Sequence, residues 1–534
     1  MVLSLVDLSL HSIAQNLGQI SQARKFLPPR DKEKLLERMC WHKQFTSALL
    51  PSVTYHLFSE TLKRVCFEDN SQVTDGLLVQ LGSCKCKLTH LTVSSCKNVT
   101  DEGLEMLLRT QDTLVELCLN NFGRSVSMSG LNTVHASQLE SVDLSECDGL
   151  TDVVLGRMVQ NCPQIKKLVV KKCTKLTSVG IKLVAESLQG HLEWLDLYGL
   201  NKVADPAVLA LSRCRNLKVL LCHGCSGISA SALSQLQSCH LTWLDLAFCY
   251  GLADAGVAQL TDFQHIQKLS LSGLPVQASV LVTVIEAMPQ LTELELCGIA
   301  AINDIVLEEI CTIVGHRLLS LNLSSCTSLT DKGCSHISRH CRCLKKMNLS
   351  LCRELTGVGL LSLLQDRNLA ENLLSLKFSG CKALRLDVIE SIADHCLSLR
   401  VLILAGVLVV DDFLVQKLAD GCRKLQYVSF KGCQQLTDDP LCSLIRHCLL
   451  RVFVVSGISS LTDKIIVALT SHCSSTLEEV YLQGCAYITP AAVRYLQDNC
   501  VKSLCVYHQI PNAPPNLLMA KNLDTGKYCK MSTS

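Results

Sequence analysis

Thiols are the groups in this sequence with the widest chemistry, because they bind metals, form disulfides and act as nucleophiles. The 534 residues include 32 cysteines and 16 histidines. Residues 222–225 read Cys-His-Gly-Cys, which resembles half of a zinc knuckle, but no second pair follows at zinc-finger spacing. The sequence also lacks a glycine-rich phosphate loop, a paired-carboxylate arrangement and a nucleophile elbow. It therefore predicts no metal site, no catalytic residue and no cofactor.

The cysteines recur in two fixed positions of a repeated pattern. A catalytic cysteine is normally singular, so repetition in register favours a structural role in which cysteine is a small apolar core residue. Histidine precedes the second cysteine in four copies, where an imidazole can bond the last free carbonyls of a helix. About ten cysteines follow a strand (Cys96, Cys147, Cys173, Cys225, Cys249, Cys326, Cys352, Cys381, Cys433, Cys485), and about ten end a helix (Cys84, Cys162, Cys214, Cys239, Cys341, Cys396, Cys422, Cys448, Cys473, Cys500).

The repeated unit has a period of roughly 26 residues. Residues 139–152 show its pattern, Leu-x-x-Val-x-Leu-x-x-Cys-x-x-Leu-Thr-Asp. A partial copy near Leu504 follows about seventeen copies, whose first positions are Leu62, Leu88, Leu114, Leu139, Ile165, Leu192, Leu217, Leu241, Ile266, Leu291, Leu318, Leu344, Leu373, Leu399, Leu425, Leu450 and Leu477.

Each unit predicts a short strand followed by a helix. The x-Leu-x-Leu-x piece alternates with period two, as in a strand with one buried face. The Thr-Asp pair predicts a helix start, and Thr489-Pro490 adds proline at the first helical position. One unit cannot bury its own apolar face, so neighbours must stack. We expect an α/β solenoid over residues 61–507, with a parallel sheet on the concave face and helices on the convex face.

The unit resembles the cysteine-containing class of leucine-rich repeats. The resemblance covers about residues 62–507, and it implies an arc that binds another protein. Apolar residues replace cysteine in five copies, which fits a buried packing position: Leu200, Leu274, Ile299, Val407 and Ile458.

Side chains that flank the strand leucines should line the concave face. Trp194 and Trp243 share one register two repeats apart, so we expect them about 10 Å apart. Exposed tryptophan is typical of protein interfaces, although strand tryptophans can also merely cover their neighbours. The nearby lysines 166, 167, 171 and 172 could meet an acidic ligand. The candidate substrate-binding residues are Lys167, Lys171, Trp194, Asp196, Tyr198, Trp243 and Asp245.

Residues 1–60 fall outside the repeat and predict helices over 3–20, from Pro29 or Arg30 through Met39, and over 52–58. Residues 4–13, Ser-Leu-Val-Asp-Leu-Ser-Leu-His-Ser-Ile, resemble the elongin-BC box of cullin ubiquitin-ligase receptors, with serine where cysteine is usual. A box ahead of leucine-rich repeats is similar to the Zyg-type receptors, and Leu27-Pro28 stands where their cullin box would be. The resemblance implies an adaptor surface at Leu5, Ser9, Ile13, Leu27 and Pro28.

That resemblance implies a non-catalytic substrate-recognition subunit of a cullin-RING ubiquitin ligase, with elongin B/C, a cullin and a protein substrate as partners. Two other interpretations remain open. Leu27-Pro28, Leu35-Leu36, Met39 and Cys40-Trp41 loosely resemble an F-box, which implies a Skp-type adaptor. Residues 1–60 could instead only cap the solenoid of a scaffold or inhibitor with no ligase link.

Composition excludes two classes of partner. A formal net charge of +2 argues against nucleic-acid binding, and the longest apolar run, 401–410, is half of a membrane span. The first residues lack a basic-apolar leader, so we expect reduced thiols and a cytoplasmic or nuclear location.

Residues 508–534 contain Pro511, Pro514 and Pro515. We expect them to form a tail that lies against the last repeat or in the concavity.

Overall fold

A computed structural model describes residues 5–19, 23–41, 44–46, 48–122, 125–500, 504–508, 519–522 and 527–530. Its main sheet has eighteen parallel strands, each paired with the next along the chain. The strands are β1 Arg64–Glu68, β2 His90–Ser94, β3 Glu116–Asn120, β4 Ser141–Asp143, β5 Lys167–Val169, β6 Trp194–Asp196, β7 Val219–Leu221, β8 Trp243–Asp245, β9 Lys268–Ser270, β10 Glu293–Glu295, β11 Ser320–Asn322, β12 Lys346–Asn348, β13 Ser375–Lys377, β14 Val401–Ile403, β15 Tyr427–Ser429, β16 Val452–Val454, β17 Glu479–Tyr481 and β18 Cys505–Tyr507. The predicted leucine-rich-repeat solenoid is confirmed, and β18 belongs to its partial last copy.

Helices alternate with the strands. Four of them precede the sheet: α1 Leu5–Asn16, α2 Ala23–Phe26, α3 Pro29–Trp41 and α4 Leu50–Leu57. The others are α5 Asp75–Ser83, α6 Asp101–Leu108, α7 Asp152–Asn161, α8 Ser178–Leu188, α9 Asp205–Leu211, α10 Ala230–Leu233, α11 Asp254–Ala258, α12 Ala278–Glu286, α13 Asp304–Val314, α14 Asp331–His340, α15 Leu361–Gln365, α16 Arg367–Ala370, α17 Leu386–His395, α18 Asp412–Gly421, α19 Asp438–His447, α20 Asp463–Cys473 and α21 Pro490–Asn499. Short 3₁₀ turns cover Leu17–Gln19, Ser129–Thr133, Ser234–Ser238, Gln259–Asp262, Gly315–Arg317 and Val358–Leu360, and two further strands, β19 Met519–Asn522 and β20 Lys527–Lys530, form an antiparallel hairpin.

The strands pair in step, so equivalent positions of successive repeats form rows across the sheet. Trp194 lies beside Val219, and Val219 lies beside Trp243. In the three-residue strands β4 to β17 the middle residue points to the interior; Leu195 and Leu244, for example, are fully buried. In the five-residue strands β1 to β3 the second and fourth residues do so. The first and third residues therefore point to the concave face, as the period-two pattern predicts.

Each Thr-Asp pair joins two repeats as well as starting a helix. The Thr462 amide N–H donates to one Asp438 carboxylate oxygen at 2.9 Å, and the Thr462 hydroxyl donates to the other at 2.6 Å. The same carboxylate bridge links the helix start of one repeat to that of the next at eight joints: Asp75 to Thr100, Asp152 to Thr177, Asp205 to Ser229, Asp304 to Thr330, Asp331 to Thr356, Asp412 to Thr437, Asp438 to Thr462 and Asp463 to Thr489.

The cysteine after each strand also bonds to the preceding repeat. The Cys147 thiol donates to the Leu119 carbonyl at 3.1 Å, and the Cys173 thiol donates to the Leu144 carbonyl at 2.9 Å. Both cysteines are fully buried. A thiol thus fills the apolar position and satisfies a buried carbonyl, which an aliphatic side chain of similar size cannot do.

The N-terminal helices complete the core of the first repeat. Leu17, Leu35 and Met39 are fully buried in the hydrophobic core that continues through the repeats. The Glu33 carboxylate of α3 accepts the backbone N–H groups of Lys63 and Arg64 at 2.7 and 3.0 Å. Helix α3 therefore covers the edge of the sheet at β1, where backbone donors would otherwise be open to another strand.

Among the described residues, no helix has the length and apolar character needed to cross a membrane.

We predict that Asp438→Ala lowers the local free energy of unfolding by about 2 kcal/mol, because it leaves two donors of Thr462 without their charged acceptor. Hydrogen–deuterium exchange of the amides at the start of α20 measures this loss. The matched control is Asp439→Ala, since the Asp439 side chain is 88% exposed and approaches Lys464 no closer than 3.9 Å. Equal exchange in the two variants would show that the carboxylate bridge does not stabilise the joint.

Candidate functional site

The two concave tryptophans touch each other. Their ring centroids lie 5.1 Å apart, with an interplanar angle of 86°. The expected separation of about 10 Å is wrong for the rings, because both lean over Val219, the smaller residue between them. Both tryptophans are half-buried, whereas Val219 is 8% exposed. The pair forms one continuous aromatic surface.

A lysine stands at each end of the tryptophan pair. The Lys167 ammonium lies 5.4 Å from the centre of the Trp194 ring, and the Lys268 ammonium lies 4.3 Å from that of Trp243. Lys268 also bonds to Glu293 at 2.9 Å. Cation–π contacts hold the ring orientations and leave a surface with aromatic faces and charged ends.

The two aspartates of the predicted site lie in the next row. Asp196 and Asp245 are each 6% exposed. Their carboxylates accept backbone N–H groups two residues later, from Tyr198 and Ala247, both at 3.0 Å. These bonds stabilise the turn that follows β6 and the turn that follows β8. The aspartates thus help to fix the backbone that carries the aromatic side chains.

A second aromatic line runs beyond the aspartates. The Lys171 ammonium lies 5.1 Å from the centre of the Tyr198 ring, which stacks on His223 at 4.2 Å. Phe248 lies 4.9 Å from His223, and Tyr250 follows at 6.2 Å from Phe248. The structure therefore brings the predicted residues Lys167 to Asp245 together over four strands, β5 to β8, with an aromatic line on each side of the two aspartates.

Sequence reasoning missed Phe248. Its position follows the strand at a turn where φ is positive in every repeat, and glycine stands there in the neighbouring repeats, at Gly224 and Gly273. Phe248 adopts φ 57°, an uncommon conformation for a bulky residue. Its ring covers Gly273, where a Cβ atom would lie 2.5 Å from it. Aligning the repeats on this glycine position would have exposed the substitution.

The lysine cluster is partly neutralised within the chain. Lys166 bonds to Glu140 at 2.8 Å, and Lys172 bonds to Glu146 at 2.6 Å. Lys167 and Lys171 instead lie over aromatic rings. The four lysines therefore do not form one basic patch, and aromatic surface dominates this part of the arc.

The predicted adaptor residues lie on different sides of the N-terminal helices. Ser9 and Pro28 are exposed, whereas Ile13 and Leu27 are partly buried against the main core. Leu5 begins α1, and its side chain lies outside the described residues. The exposed positions are thus the ones most accessible to a partner.

Among the described residues, no group of three or more metal-ligating side chains comes together. The cysteines from Cys40 to Cys505 are free thiols. Cys222 and Cys225 are buried, and a hydrogen bond between them together with burial raises the pKa of Cys222. Burial likewise raises the pKa of Cys396 to about 12. A raised pKa keeps a thiol protonated, which suits core packing.

Three of the repeats match the family model described as Leucine Rich repeat, at residues 84–108, 316–338 and 340–364. The chain therefore contains leucine-rich repeats, and its fold is a leucine-rich-repeat solenoid. The parallel sheet extends the same unit over the repeats that the family model does not match.

Two curated relatives match part of the chain. Antagonist of mitotic exit network protein 1 of Candida glabrata is 24% identical over 162 residues, which cover 29% of this chain and 32% of that protein. BTB/POZ domain-containing protein FBL11 of Arabidopsis thaliana is 23% identical over 187 residues, which cover 32% of this chain and 19% of that protein. The chain thus spans about a third or less of either relative.

Solved structures with a similar arrangement include the yeast Rad7 and Elc1 complex, with a TM-score of 0.40 and 15% identity over 92% of this chain and 96% of that chain. An internalin, InlF of Listeria monocytogenes, gives a TM-score of 0.38 and 15% identity over 74% of this chain and 94% of that chain. The leucine-rich-repeat fold is shown by the repeats of this chain and by the order of their strands.

One thiol differs from the buried ones. Cys84 is half-exposed and lines a cleft of about 370 Å³ between α4 and α5, beside Tyr55 and Phe58. A hydrogen bond from Cys86 lowers the pKa of Cys84 to about 7, against the desolvation that raises it. Cys118 is also half-exposed, but burial raises its pKa to about 12.

We predict that iodoacetamide alkylates Cys84 much faster than Cys118 at pH 7, because the lowered pKa of Cys84 gives it the larger thiolate fraction. The rate at Cys84 should rise as the pH passes through about 7 and reach its plateau about one pH unit higher. Mass spectrometry of the modified peptides measures both rates. Cys86→Ala removes the donor and should slow the alkylation of Cys84 at pH 7; equal rates at the two cysteines would contradict the prediction.

Proposed function

We propose that this protein is a non-catalytic substrate-recognition subunit of a cullin-RING ubiquitin ligase. Its arc binds a protein target, and its N-terminal helices bind elongin B/C and a cullin. The observation that carries the proposal is the half-buried Trp194–Trp243 pair on the concave face, four strands or more along the arc from the N-terminal helices. Such a chain would hold a target near a ligase, so that proximity accelerates the transfer.

The aromatic surface supports the binding of a protein target. Binding energy concentrates in a few well-packed residues, and tryptophan, tyrosine and arginine are enriched among them. A partner needs about 800 Å² of each surface, which a few repeats supply. The Trp194–Trp243 pair provides a rigid anchor, since each ring is fixed by the other and by a lysine.

The start of α1 supports adaptor binding. Leu10, Ala14 and Leu17 hold the helix on the core, while Ser9 and Ser12 face outward. A helix anchored in this way can offer its first turn, including Leu5, to an apolar groove of elongin C. Pro28 lies exposed just before α3, where the cullin contact would be.

Burial argues against the F-box alternative. Leu35, Leu36 and Met39 are fully buried and Cys40 is 1% exposed, so the residues that resemble an F-box serve the core of the solenoid. The contacts of α3 support the alternative that residues 1–60 cap the solenoid. Helix α3 covers the edge of the sheet at β1 whether or not α1 binds an adaptor. A capping role and an adaptor role are compatible.

We also propose a cytoplasmic or nuclear location. The free thiols of the repeats fit a reducing compartment, because an oxidising one favours disulfides and the exposed Cys343 and Cys505 would be at risk there.

We predict that Leu5→Asp reduces the recovery of elongin B and C in a pull-down at least tenfold, because a charge cannot enter an apolar groove without a partner. Met106→Asp, at an exposed apolar residue of α6 outside the N-terminal helices, is the matched control and should behave as the wild type. Point variants are needed because a deletion of residues 1–40 would remove Leu17, Leu35 and Met39 from the core. Unchanged recovery with Leu5→Asp would disprove the box, and recovery of a Skp-type adaptor would support the F-box.

We predict that Trp194→Ala or Trp243→Ala lowers target capture tenfold or more, since loss of an interface anchor costs about 2 kcal/mol or more. Quantitative proximity labelling in cells compares the partners recovered by each variant. Tyr495→Ala is the control, because Tyr495 lies on α21 and is 54% exposed. If both tryptophan variants recover the wild-type partners, the target binds elsewhere.

A further inference from the structure

Two thiols stand at the end of helix α5 with a single residue between them. Residues 84–86 read Cys-Lys-Cys. Cys86 lies two residues before Leu88, the first position of its repeat, as Cys239 and Cys448 lie two residues before theirs, and all three are buried. Cys84 is half-exposed. Core packing therefore accounts for Cys86, whereas it accounts only in part for Cys84.

The turn between these cysteines brings their thiols together. Lys85 has a φ of 57°, so the backbone there is wound as tightly as in a left-handed helix. Helix geometry places Cα atoms two residues apart at about 5.4 Å, and a disulfide spans about 4.4–6.8 Å. Both thiols donate to the Leu81 carbonyl, at 3.0 Å from Cys84 and 3.5 Å from Cys86. The two sulfur atoms therefore share one acceptor on the same side of the turn.

The two thiols differ in access and in ionisation. Cys84 lines the cleft between α4 and α5 beside Arg24, whereas Cys86 is 1% exposed. The Cys86 thiol and the backbone N–H groups of residues 84 and 86 bond to the Cys84 sulfur and lower the pKa of Cys84 to about 7, against burial and the charge of Glu60. The same bond between the thiols, together with burial, raises the pKa of Cys86. An accessible thiolate thus lies beside a buried thiol that stays protonated.

A second pair of cysteines with the same spacing lacks this arrangement. Cys341 and Cys343 flank Arg342 at the end of α14, and Arg342 does not adopt a positive φ. The Cys341 thiol is fully buried and donates to the Cys311 sulfur at 3.8 Å, while Cys343 is exposed. One side chain points to the interior and the other to the surface. Spacing alone therefore does not bring two thiols together.

We propose that Cys84 and Cys86 form a dithiol that hydroperoxides oxidise reversibly to a disulfide. The Cys84 thiolate attacks the terminal oxygen of the hydroperoxide, the O–O bond breaks, and the departing alkoxide or hydroxide takes up a proton from water. The Cys84 sulfur is then a sulfenic acid. The Cys86 sulfur attacks it, the S–O bond breaks, and the hydroxide leaves as water with the Cys86 proton. The two sulfurs lose two electrons to the peroxide, and a dithiol reductant restores both thiols.

Oxidation changes the junction between the N-terminal helices and the first repeat. A disulfide removes both thiol donors from the Leu81 carbonyl in the last turn of α5. It also replaces the thiolate in the cleft, beside Arg24, with uncharged sulfur. The charge in this cleft therefore depends on the oxidation state of the dithiol. This chemistry does not depend on the proposed function.

Hydrogen peroxide at pH 7, added to the reduced full-length protein, tests the dithiol. After alkylation of the remaining thiols in denaturant, a glutamate-specific protease releases residues 69–102 as one peptide, which contains both thiols and Cys96. We expect a disulfide between Cys84 and Cys86 to form at least ten times faster than one between Cys341 and Cys343, and to reopen with dithiothreitol. Mass spectrometry detects it by the loss of two hydrogen atoms. Equal rates for the two pairs would overturn the proposal.

Point variants separate the roles of the two thiols. Cys86→Ser keeps a hydrogen-bond donor beside Cys84 but cannot close the disulfide, so dimedone should capture the Cys84 sulfenic acid at least tenfold more than in the wild type. Cys343→Ser, at the exposed thiol of the second pair, is the matched control and should behave as the wild type. Cys84→Ser changes one atom at a half-exposed position, and Cys86 should then stay reduced.

Two results with these variants would contradict the proposal. The first is Cys86→Ser with no more dimedone adduct than the wild type, since Cys86 would then not resolve the sulfenic acid. The second is oxidation of Cys86 at the wild-type rate in Cys84→Ser, since the peroxide would then not react first at Cys84.

Discussion

The carboxylate bridge between successive helix starts is the contact on which the arrangement of the repeats depends. One aspartate accepts both the amide and the hydroxyl of the next repeat's threonine or serine, so at the eight joints that have the bridge each repeat sets the position of its neighbour. The buried thiols add a bond from the strand end to the repeat before. These bonds lie in the turns and the interior, and on the concave face Asp196 and Asp245 add bonds to the turns after their own strands.

The core that runs from α1 to α21 makes the N-terminal helices part of the solenoid. A partner on α1 would therefore be held rigidly with respect to β1, through α3 and its Glu33 contact. If the proposed function holds, the arc then fixes the distance between a partner on α1 and a target on the concave face. The shared core also explains why most apolar residues of this unit face inward.

The sequence predicts the strands, the threonine helix caps and the interior place of the cysteines, because each depends on local spacing. It does not predict contacts that need two repeats at once. The sequence predicts the aspartate of each Thr-Asp pair as part of a helix start. In the structure its carboxylate oxygens accept hydrogen bonds from the next repeat. The predicted separation of the two tryptophan rings is wrong because strand spacing fixes the distance between backbones but not the direction in which each ring is tilted. The run 401–410 has no period of two, because β14 carries apolar residues on both of its faces.

The left-handed turn after each strand has a consequence for how this arc can change. Glycine fills it in most of the C-terminal repeats, whereas Glu146, Lys172 and Phe248 fill it nearer the N-terminus. A non-glycine residue there costs about 1–2 kcal/mol but adds a side chain at the rim without altering any strand. A substitution at this one backbone position can thus change the rim of the concave face in a single repeat, while the strands of the stack stay as they are.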